Sequence, residues 1–274
     1  MYDEIIYKTE GAAAIISFNR PDKLNALTRK TLREMQDAIG EAEQDQNIVG
    51  IVLTGEGRGF CSGMDLEVVN AATSDGLEER PDERAAAGDA SMGSDFEDGL
   101  TFLMSVRKPV IAAVNGPCAG YGMSIALFCD LRFVADSVRF TTAFSKLGLV
   151  AEHGQSWILP RLVGPAKALD LFWSSKKLSA AEALEIGMAD RVVAVEQVVG
   201  EAVTYIQDLA RNNAPYSLMR MKRQVYRHLN MSLGDAMAET NELIVESLKR
   251  SDVPEGVSAF TEQRPPKFEP LKTR

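Results

Sequence analysis

Cysteine and histidine are scarce in this chain of 274 residues, which has three cysteines and two histidines. Cys61, Cys118 and Cys129 cannot all pair with one another, and their spacing matches no zinc-binding pattern. This scarcity argues against a disulfide scaffold and against a cysteine metal site. The N-terminal segment also lacks the charged and then apolar pattern of a secretory signal. We therefore expect a protein of a reducing compartment, the cytoplasm.

One uncharged run, residues 110–129, has the length of a membrane span. Asn115, Gly116 and Pro117 interrupt it in the middle, and Gly120 and Gly122 follow. Such residues punctuate the chain at turns. We therefore predict a buried strand, a turn and a buried helix, with no membrane partner.

Positive charge is in short supply, because the formal net charge is −9. Residues 71–99 hold nine acidic and only two basic residues. An acidic chain disfavours nucleic-acid binding, which depends on neutralising phosphates. We expect an acidic insertion at about residues 70–98, either a mobile lid or a surface insertion, with partial helix at most.

Strand and helix patterns alternate along the first half of the chain, and helical patterns dominate the second half. This order predicts an α/β fold with a helical C-terminal region. We place the core in residues 1–195 and the helical region in residues 196–274. The predicted strands are 5–8, 12–19, 48–54, 110–114 and 131–134, and the predicted helices include 28–44, 96–107 and 122–129.

Two glycine-containing turns follow predicted strands, at residues 60–66 and 115–122. Neither has the spacing of a dinucleotide fingerprint or of a nucleotide-binding P-loop. Backbone N–H groups at such turns point outward, and two of them side by side could hold an oxyanion. Ordinary strand-to-helix turns would give the same pattern, so the residues alone leave both interpretations open.

Motifs that cover nearly the whole chain resemble the crotonase family, also called the enoyl-CoA hydratase/isomerase family. They are Asn19-Arg20-Pro21, Asn25-Ala26-Leu27, Phe60-Cys61-Ser62-Gly63-Met64-Asp65-Leu66, Asn115-Gly116, Gly120-Tyr121-Gly122, Cys129-Asp130, Leu159-Pro160-Arg161-Leu162-Val163-Gly164, Ala180-Ala181-Glu182-Ala183, Gly187-Met188-Ala189-Asp190, Gly256-Val257, Phe260 and Arg264-Pro265-Pro266-Lys267-Phe268. The resemblance implies a spiral of ββα units with a helical C-terminal trimerisation region. It also implies a homotrimer or hexamer, an acyl-CoA thioester substrate, a place in fatty acid metabolism, and no cofactor beyond the CoA of the substrate.

The same resemblance assigns an oxyanion hole to the backbone N–H groups of Met64 and Tyr121. Tyr121 stands where the family more often has glycine, but only its backbone N–H is required. The residues implied to contact substrate or CoA are Ser62, Gly63, Asp65, Leu66, Gly120, Ser124, Phe144, Trp157, Arg20, Phe260 and Lys267.

The acidic residues depart from the hydratase pattern of the family, in which two glutamates hold a water. Those glutamates would fall at Ser124 and Phe144, and neither residue carries a carboxylate. Glu152 matches the single catalytic carboxylate of the family's isomerases. We therefore expect Glu152 to shift an enoyl-CoA double bond as acid and base. The alternatives are a hydratase or other crotonase-type lyase with rearranged acids, and a non-catalytic CoA-binding protein.

The neighbours of Glu152 have competing interpretations. Glu152 itself could merely complement a helix dipole. His153 could orient Glu152 or be a plain surface residue, and we favour the surface. Phe144, Leu149, Val150 and Trp157 are expected to form an apolar wall around Glu152. Cys61 is expected to be a packing residue rather than a nucleophile.

Overall fold

The computed structural model describes residues 2–65, 67–68, 70, 87–97 and 99–273. The strands are β1 (Ile5–Glu10), β2 (Ala13–Phe18), β3 (Gly50–Gly55), β4 (Val110–Val114), β5 (Cys118–Ala119), β6 (Leu131–Ala135), β7 (Arg139–Thr141), β8 (Leu178–Ser179) and β9 (Arg191–Val193). The helices are α1 (Arg29–Gln44), α2 (Phe102–Ser105), α3 (Gly120–Phe128), α4 (Gln155–Val163), α5 (Pro165–Ser174), α6 (Ala180–Glu185), α7 (Val198–Asn212), α8 (Pro215–His228), α9 (Leu233–Leu248) and α10 (Asp252–Glu262). The predicted α/β class with C-terminal helices is confirmed.

Six strands form the main sheet in the order β1-β2-β3-β4-β6-β9. The β1–β2 hairpin is antiparallel, and every later pair in this sheet is parallel. Strands β3 and β4 are buried at every residue, as expected of parallel strands covered on both faces. A second sheet has the order β5-β7-β8. The carboxyl ends of β3 and β4 lead into the two glycine-containing turns.

Helix α7 covers one face of the main sheet. Its Val203 and Ile206 pack with Val52, Ile111 and Phe133 in one buried cluster. The alternate strand residues point to the opposite face and join a larger cluster with α1. This alternation is what the period-two geometry of a strand requires.

The predicted helix over residues 96–107 is wrong. The chain instead forms two 3-10 turns, Ala90–Met92 and Ser94–Phe96, and then the short helix α2. Gly99 has a φ of +54°, a left-handed conformation that a continuous α-helix does not contain. Phe96, Leu100 and Leu103 are all buried, so their helical spacing reflects burial of a compact loop rather than a helix face. Residues 71–86 and 98 of the expected acidic insertion lie outside the described residues.

The C-terminal helices expose many apolar side chains. Helix α9 has no buried residue, although it carries Leu233, Met237 and Leu248 at 80%, 52% and 64% exposure. Among the described helices, none is long and apolar enough to cross a membrane. Residues 110–129 form a buried strand, a turn and a buried helix, as predicted.

A buried lysine closes the carboxyl end of α1. The Lys108 side chain is almost fully buried, and its Nζ donates to the carbonyl oxygens of Ala42 at 2.7 Å and Asp45 at 2.6 Å. Burial lowers the pKa of Lys108 to about 8. The neutral amine keeps two N–H donors, so both carbonyls stay satisfied when the proton leaves.

Replacing Lys108 with Met is expected to lower the free energy of unfolding by about 1–3 kcal/mol at pH 7, because two buried carbonyls lose their donor. The deficit should grow from pH 7 to pH 9. Folded wild-type protein releases the Lys108 proton near pH 8, whereas the unfolded lysine keeps it to about pH 10.5. The unfolded state then binds more protons, so wild-type stability rises with pH relative to the variant. Urea unfolding at pH 7, 8 and 9 checks this, and a constant deficit would contradict it.

Candidate active site

The glycine-rich loop after β3 is closed by the side-chain amides of two asparagines, the buried Asn25 and the half-buried Asn115. Asn25 Nδ2 donates to the carbonyls of Glu56 at 3.0 Å and Gly59 at 2.8 Å. Asn115 Nδ2 donates to Gly55 O at 2.7 Å. The loop packs so tightly that a Cβ at Gly116 would lie 2.1 Å from a backbone oxygen of the loop. The absence of a side chain at Gly116 therefore permits close packing between the two turns.

The turn at residues 61–65 lies between two extended segments. On one side, Leu27 N donates to Gly63 O at 2.8 Å, and Asp65 N donates to Leu27 O at 2.9 Å. On the other side, Ala119 N donates to Cys61 O at 3.0 Å. In this parallel ladder the groups flanking Met64 face Leu27, so the N–H of Met64 itself points to the opposite side. That side is where the chain enters α3.

Tyr121 lies in the first turn of α3, where N–H groups point out of the helix N-terminus. Gly63 packs directly against this turn. A Cβ at Gly63 would lie 3.6 Å from Tyr121 N and 3.3 Å from Ala119 O, and Gly63 has a φ of +104°. The structure thus brings the backbone of Met64 and Tyr121, the two assigned oxyanion donors, to the same place. The positive end of the α3 dipole adds to the potential there.

An ion pair anchors the first of these turns. Arg20 Nη2 lies 2.9 Å from Asp65 Oδ2, and the Arg20 guanidinium also donates to Ala26 O. A backbone hydrogen bond from Glu67, followed by the Arg20 contact, lowers the pKa of Asp65. Ser62 Oγ donates to Lys23 O at 3.3 Å. Arg20, Ser62 and Asp65 therefore hold the turn in shape, and their contacts with CoA stay predictions.

Glu152 lies in the turn before α4, at the N-terminal end of α3. Its carboxylate is 35% exposed and lies 3.4 Å from His153 Nε2. The His153 ring packs on the Tyr121 ring, with 4.0 Å between centroids. His153 is only 20% exposed, so its interpretation as a plain surface residue is wrong. Gly154 adopts a φ of +74°, and a Cβ there would lie 2.7 Å from the Phe128 ring.

Of the four residues expected to form an apolar wall around Glu152, two are at least half-buried and two are exposed. Phe144 is buried, and Trp157 is half-buried under the Arg161 guanidinium, 3.8 Å from the ring centroid. Leu149 and Val150 are 40% and 77% exposed, so their part of the expectation is wrong. The left-handed conformation of Gly148, at a φ of +72°, turns the chain outward before these two residues.

The two positions of the hydratase glutamates are both buried. Ser124 is fully buried and accepts a hydrogen bond from Gln155 Nε2 at 2.8 Å. Phe144 is 4% exposed. Sequence reasoning missed Gln155, whose side chain is completely buried. The helical spacing of Gln155 with Ile158 and Leu159 was a signal that this polar residue faces the core.

The remaining candidate residues lie in other parts of the chain, and Cys61 is buried as a packing residue. Phe260 is near the end of α10 and is 87% exposed, and Lys267 lies in the segment after that helix. Leu66 lies outside the described residues. Burial raises the pKa of the Cys61 thiol to about 12, which agrees with its expected packing role.

The family profile for enoyl-CoA hydratase/isomerase matches residues 8–271. The chain belongs to this family. Enzymes of the family act on acyl-CoA thioesters. The chain is 34% identical to the 1,2-epoxyphenylacetyl-CoA isomerase of Escherichia coli, over 98% of this chain and 99% of the relative. It is 32% identical to the short-chain-enoyl-CoA hydratase of Clostridium acetobutylicum, over 99% of both.

A solved structure of an enoyl-CoA hydratase from Polaromonas sp. has a similar fold, with a TM-score of 0.84 and 29% identity. The match covers 97% of this chain and 99% of that one. The predicted crotonase fold is therefore confirmed. The similar proteins include both hydratases and an isomerase. The reaction of this protein therefore has to be inferred from its own site residues.

Proposed function

We propose that this protein shifts the double bond of an enoyl-CoA thioester, with Glu152 as the single acid and base. The observation that carries the proposal is the place of Glu152. Its carboxylate adjoins His153, and the His153 ring lies on Tyr121, whose backbone N–H is one of the two oxyanion donors. The positions at which a hydratase would hold its two glutamates have a hydroxyl and a phenyl ring.

The reaction proceeds through an enolate. The Glu152 carboxylate takes a proton from the carbon beside the thioester carbonyl, and negative charge develops on the carbonyl oxygen. The N–H groups of Met64 and Tyr121 donate to that oxygen, each being worth about 2.7–4 kcal/mol in such sites. The protonated Glu152 then returns the proton two carbons along, which moves the double bond without a change in mass.

A single carboxylate suits this chemistry better than hydration. Adding water to a double bond requires one group to activate the water and another to protonate carbon. Neither Ser124 nor Phe144 can take a proton from water at neutral pH. Glu152 alone can serve both halves of a proton shift, because the group that accepts the proton is the group that returns it.

Incubation of the purified protein with a 3-enoyl-CoA, and separately with a 2-enoyl-CoA, tests the proposal. We expect the double bond to move in the first incubation, with no gain in mass. Addition of one water to the 2-enoyl-CoA, without isomerisation, would contradict it and favour the hydratase alternative. Absence of any turnover, with retained CoA binding, would favour the non-catalytic alternative.

We further propose that the protein assembles as a homotrimer, which two such trimers could extend to a hexamer. Support comes from the apolar side chains that α9 and α10 leave exposed, among them Leu233, Leu248 and Phe260. Exposed apolar side chains grouped in this way are typical of protein–protein interfaces. Sedimentation equilibrium is expected to give three or six times the mass of one chain, and a monomer at micromolar concentration would contradict the assembly.

A further inference from the structure

The carbonyl of Gly120 and the N–H of Tyr121 belong to one peptide group. Because a peptide is planar and trans, its C=O and N–H point in opposite directions. Whatever binds Gly120 O therefore also fixes the direction of the Tyr121 N–H. Gln155 Nε2 donates to Gly120 O at 3.0 Å. Gln155 thus binds the back of the peptide that presents one oxyanion donor.

The orientation of the Gln155 amide follows from its surroundings. Gly120 O can only accept, so the amide atom 3.0 Å from it is the nitrogen. The same nitrogen donates its second hydrogen to Ser124 Oγ at 2.8 Å. The amide oxygen is buried and has no partner among the described residues. An unsatisfied buried acceptor costs free energy. The two hydrogen bonds that the Gln155 amide nitrogen donates have to offset the cost of its unpaired oxygen.

Gln155 also belongs to the turn that carries the acid. It is the first residue of α4, and its backbone N–H donates to Glu152 O at 3.0 Å. Its backbone therefore holds the Glu152 turn, while its side chain holds the first turn of α3. The fully buried side chain has little freedom to adopt another conformation.

We propose that Gln155 is a positioning residue of the oxyanion hole. Gln155 acts through the Gly120–Tyr121 peptide and fixes the position of that peptide relative to Glu152. This role rests on the proposed function of Glu152 and the two N–H groups. A hydrogen bond to a peptide oxygen polarises the peptide and makes its N–H a stronger donor, and a low local dielectric increases the effect. Charge on the substrate oxygen is largest in the transition state, so the benefit appears mainly in kcat.

The test compares Gln155→Met with Gln224→Met. Met keeps the length of the side chain but has no N–H donor. Gln224 lies on α8, where its Nε2 is 3.4 Å from Thr240 Oγ1, and serves as the matched control. We expect Gln155→Met to lower kcat about tenfold, a fraction of the loss caused by deleting an oxyanion donor, with KM within about twofold of wild type. Gln224→Met should keep both values.

A spectroscopic measurement separates positioning from general loss of structure. Infrared difference spectra of a bound saturated acyl-CoA, labelled with ¹³C at the thioester carbonyl, report how strongly that carbonyl is polarised. Wild-type protein should lower the carbonyl frequency relative to free thioester, and Gln155→Met should return it part of the way. Gln155→Glu, which keeps the shape but cannot donate when ionised, should do the same. CoA binding by each variant verifies that it is folded.

The outcomes distinguish the two proposals. If the wild type lowers the carbonyl frequency and both Gln155 variants keep the full shift and wild-type kcat, the role of Gln155 is overturned while the oxyanion hole stands. If the bound wild type does not lower the frequency, the oxyanion hole itself is overturned, and the role of Gln155 with it.

Discussion

Replacing Glu152 with Gln is expected to lower kcat for double-bond migration by about 10²–10⁴-fold, the range for a positioned acid and base. Glutamine keeps the size of the side chain and can still contact His153, but it cannot take a proton from carbon. Binding of the acyl-CoA should persist, because the N–H groups of Met64 and Tyr121 are unchanged. Steady-state kinetics with a 3-enoyl-CoA, together with calorimetric CoA binding, measure both effects.

Glu185→Gln is the matched control for this experiment. Glu185 is an exposed glutamate at the end of α6, and its substitution should leave kcat unchanged. If Glu152→Gln kept turnover within about threefold of the wild type, another group would have to be the base. Loss of CoA binding along with turnover would instead point to a structural role for the Glu152 turn.

Replacing Gly63 with Ala is expected to lower kcat by about 10²–10³-fold, as when one oxyanion donor is removed. The new methyl group would lie 3.6 Å from Tyr121 N and 3.3 Å from Ala119 O, next to one of the two N–H groups. The φ of +104° at Gly63 is also one that an alanine rarely adopts, so the turn would have to change. The separation and direction of the Met64 N–H would change with it.

Gly200→Ala provides the comparison for this variant. Gly200 lies in α7, and a Cβ there meets no heavy atom within 4 Å. Alanine in a helix should be neutral or slightly stabilising at such a position. The two variants are compared by kcat and by thermal unfolding. Wild-type turnover by a folded Gly63→Ala protein would show that the oxyanion hole lies elsewhere.

Local features of the fold were predictable because they depend on neighbouring residues. The apolar runs of β3 and β4 predict strands buried on both faces, and Asn115, Gly116 and Pro117 mark the turn after β4. The prediction failed between residues 96 and 107, where Phe96, Leu100 and Leu103 have the spacing of a helix. Burial of all three side chains from a compact loop, with Gly99 in a left-handed conformation, produces the same spacing.

The site was predictable only in the parts that a motif carries. The turns with Met64 and Tyr121, and the position of Glu152, follow from the family resemblance, and the structure brings the backbones of the first two turns together. The supporting contacts join residues far apart in sequence, such as Arg20 with Asp65 and Gln155 with Gly120. No local pattern specifies such pairs, because they depend on how the turns meet in three dimensions.

The proposed reaction requires Glu152 to make an enolate whose oxygen is held by the two backbone N–H groups. The fate of the hydrogen that leaves the carbon beside the thioester tests this step directly, by NMR with a 3-enoyl-CoA that carries deuterium at that carbon. We expect the wild type to remove one deuteron from that carbon as the double bond moves, with the part that Glu152 has not exchanged with water appearing two carbons along, and we expect Glu152→Gln to leave the label in place. Equal loss of label by both proteins, or isomerisation by the variant at the wild-type rate, would contradict this role of Glu152.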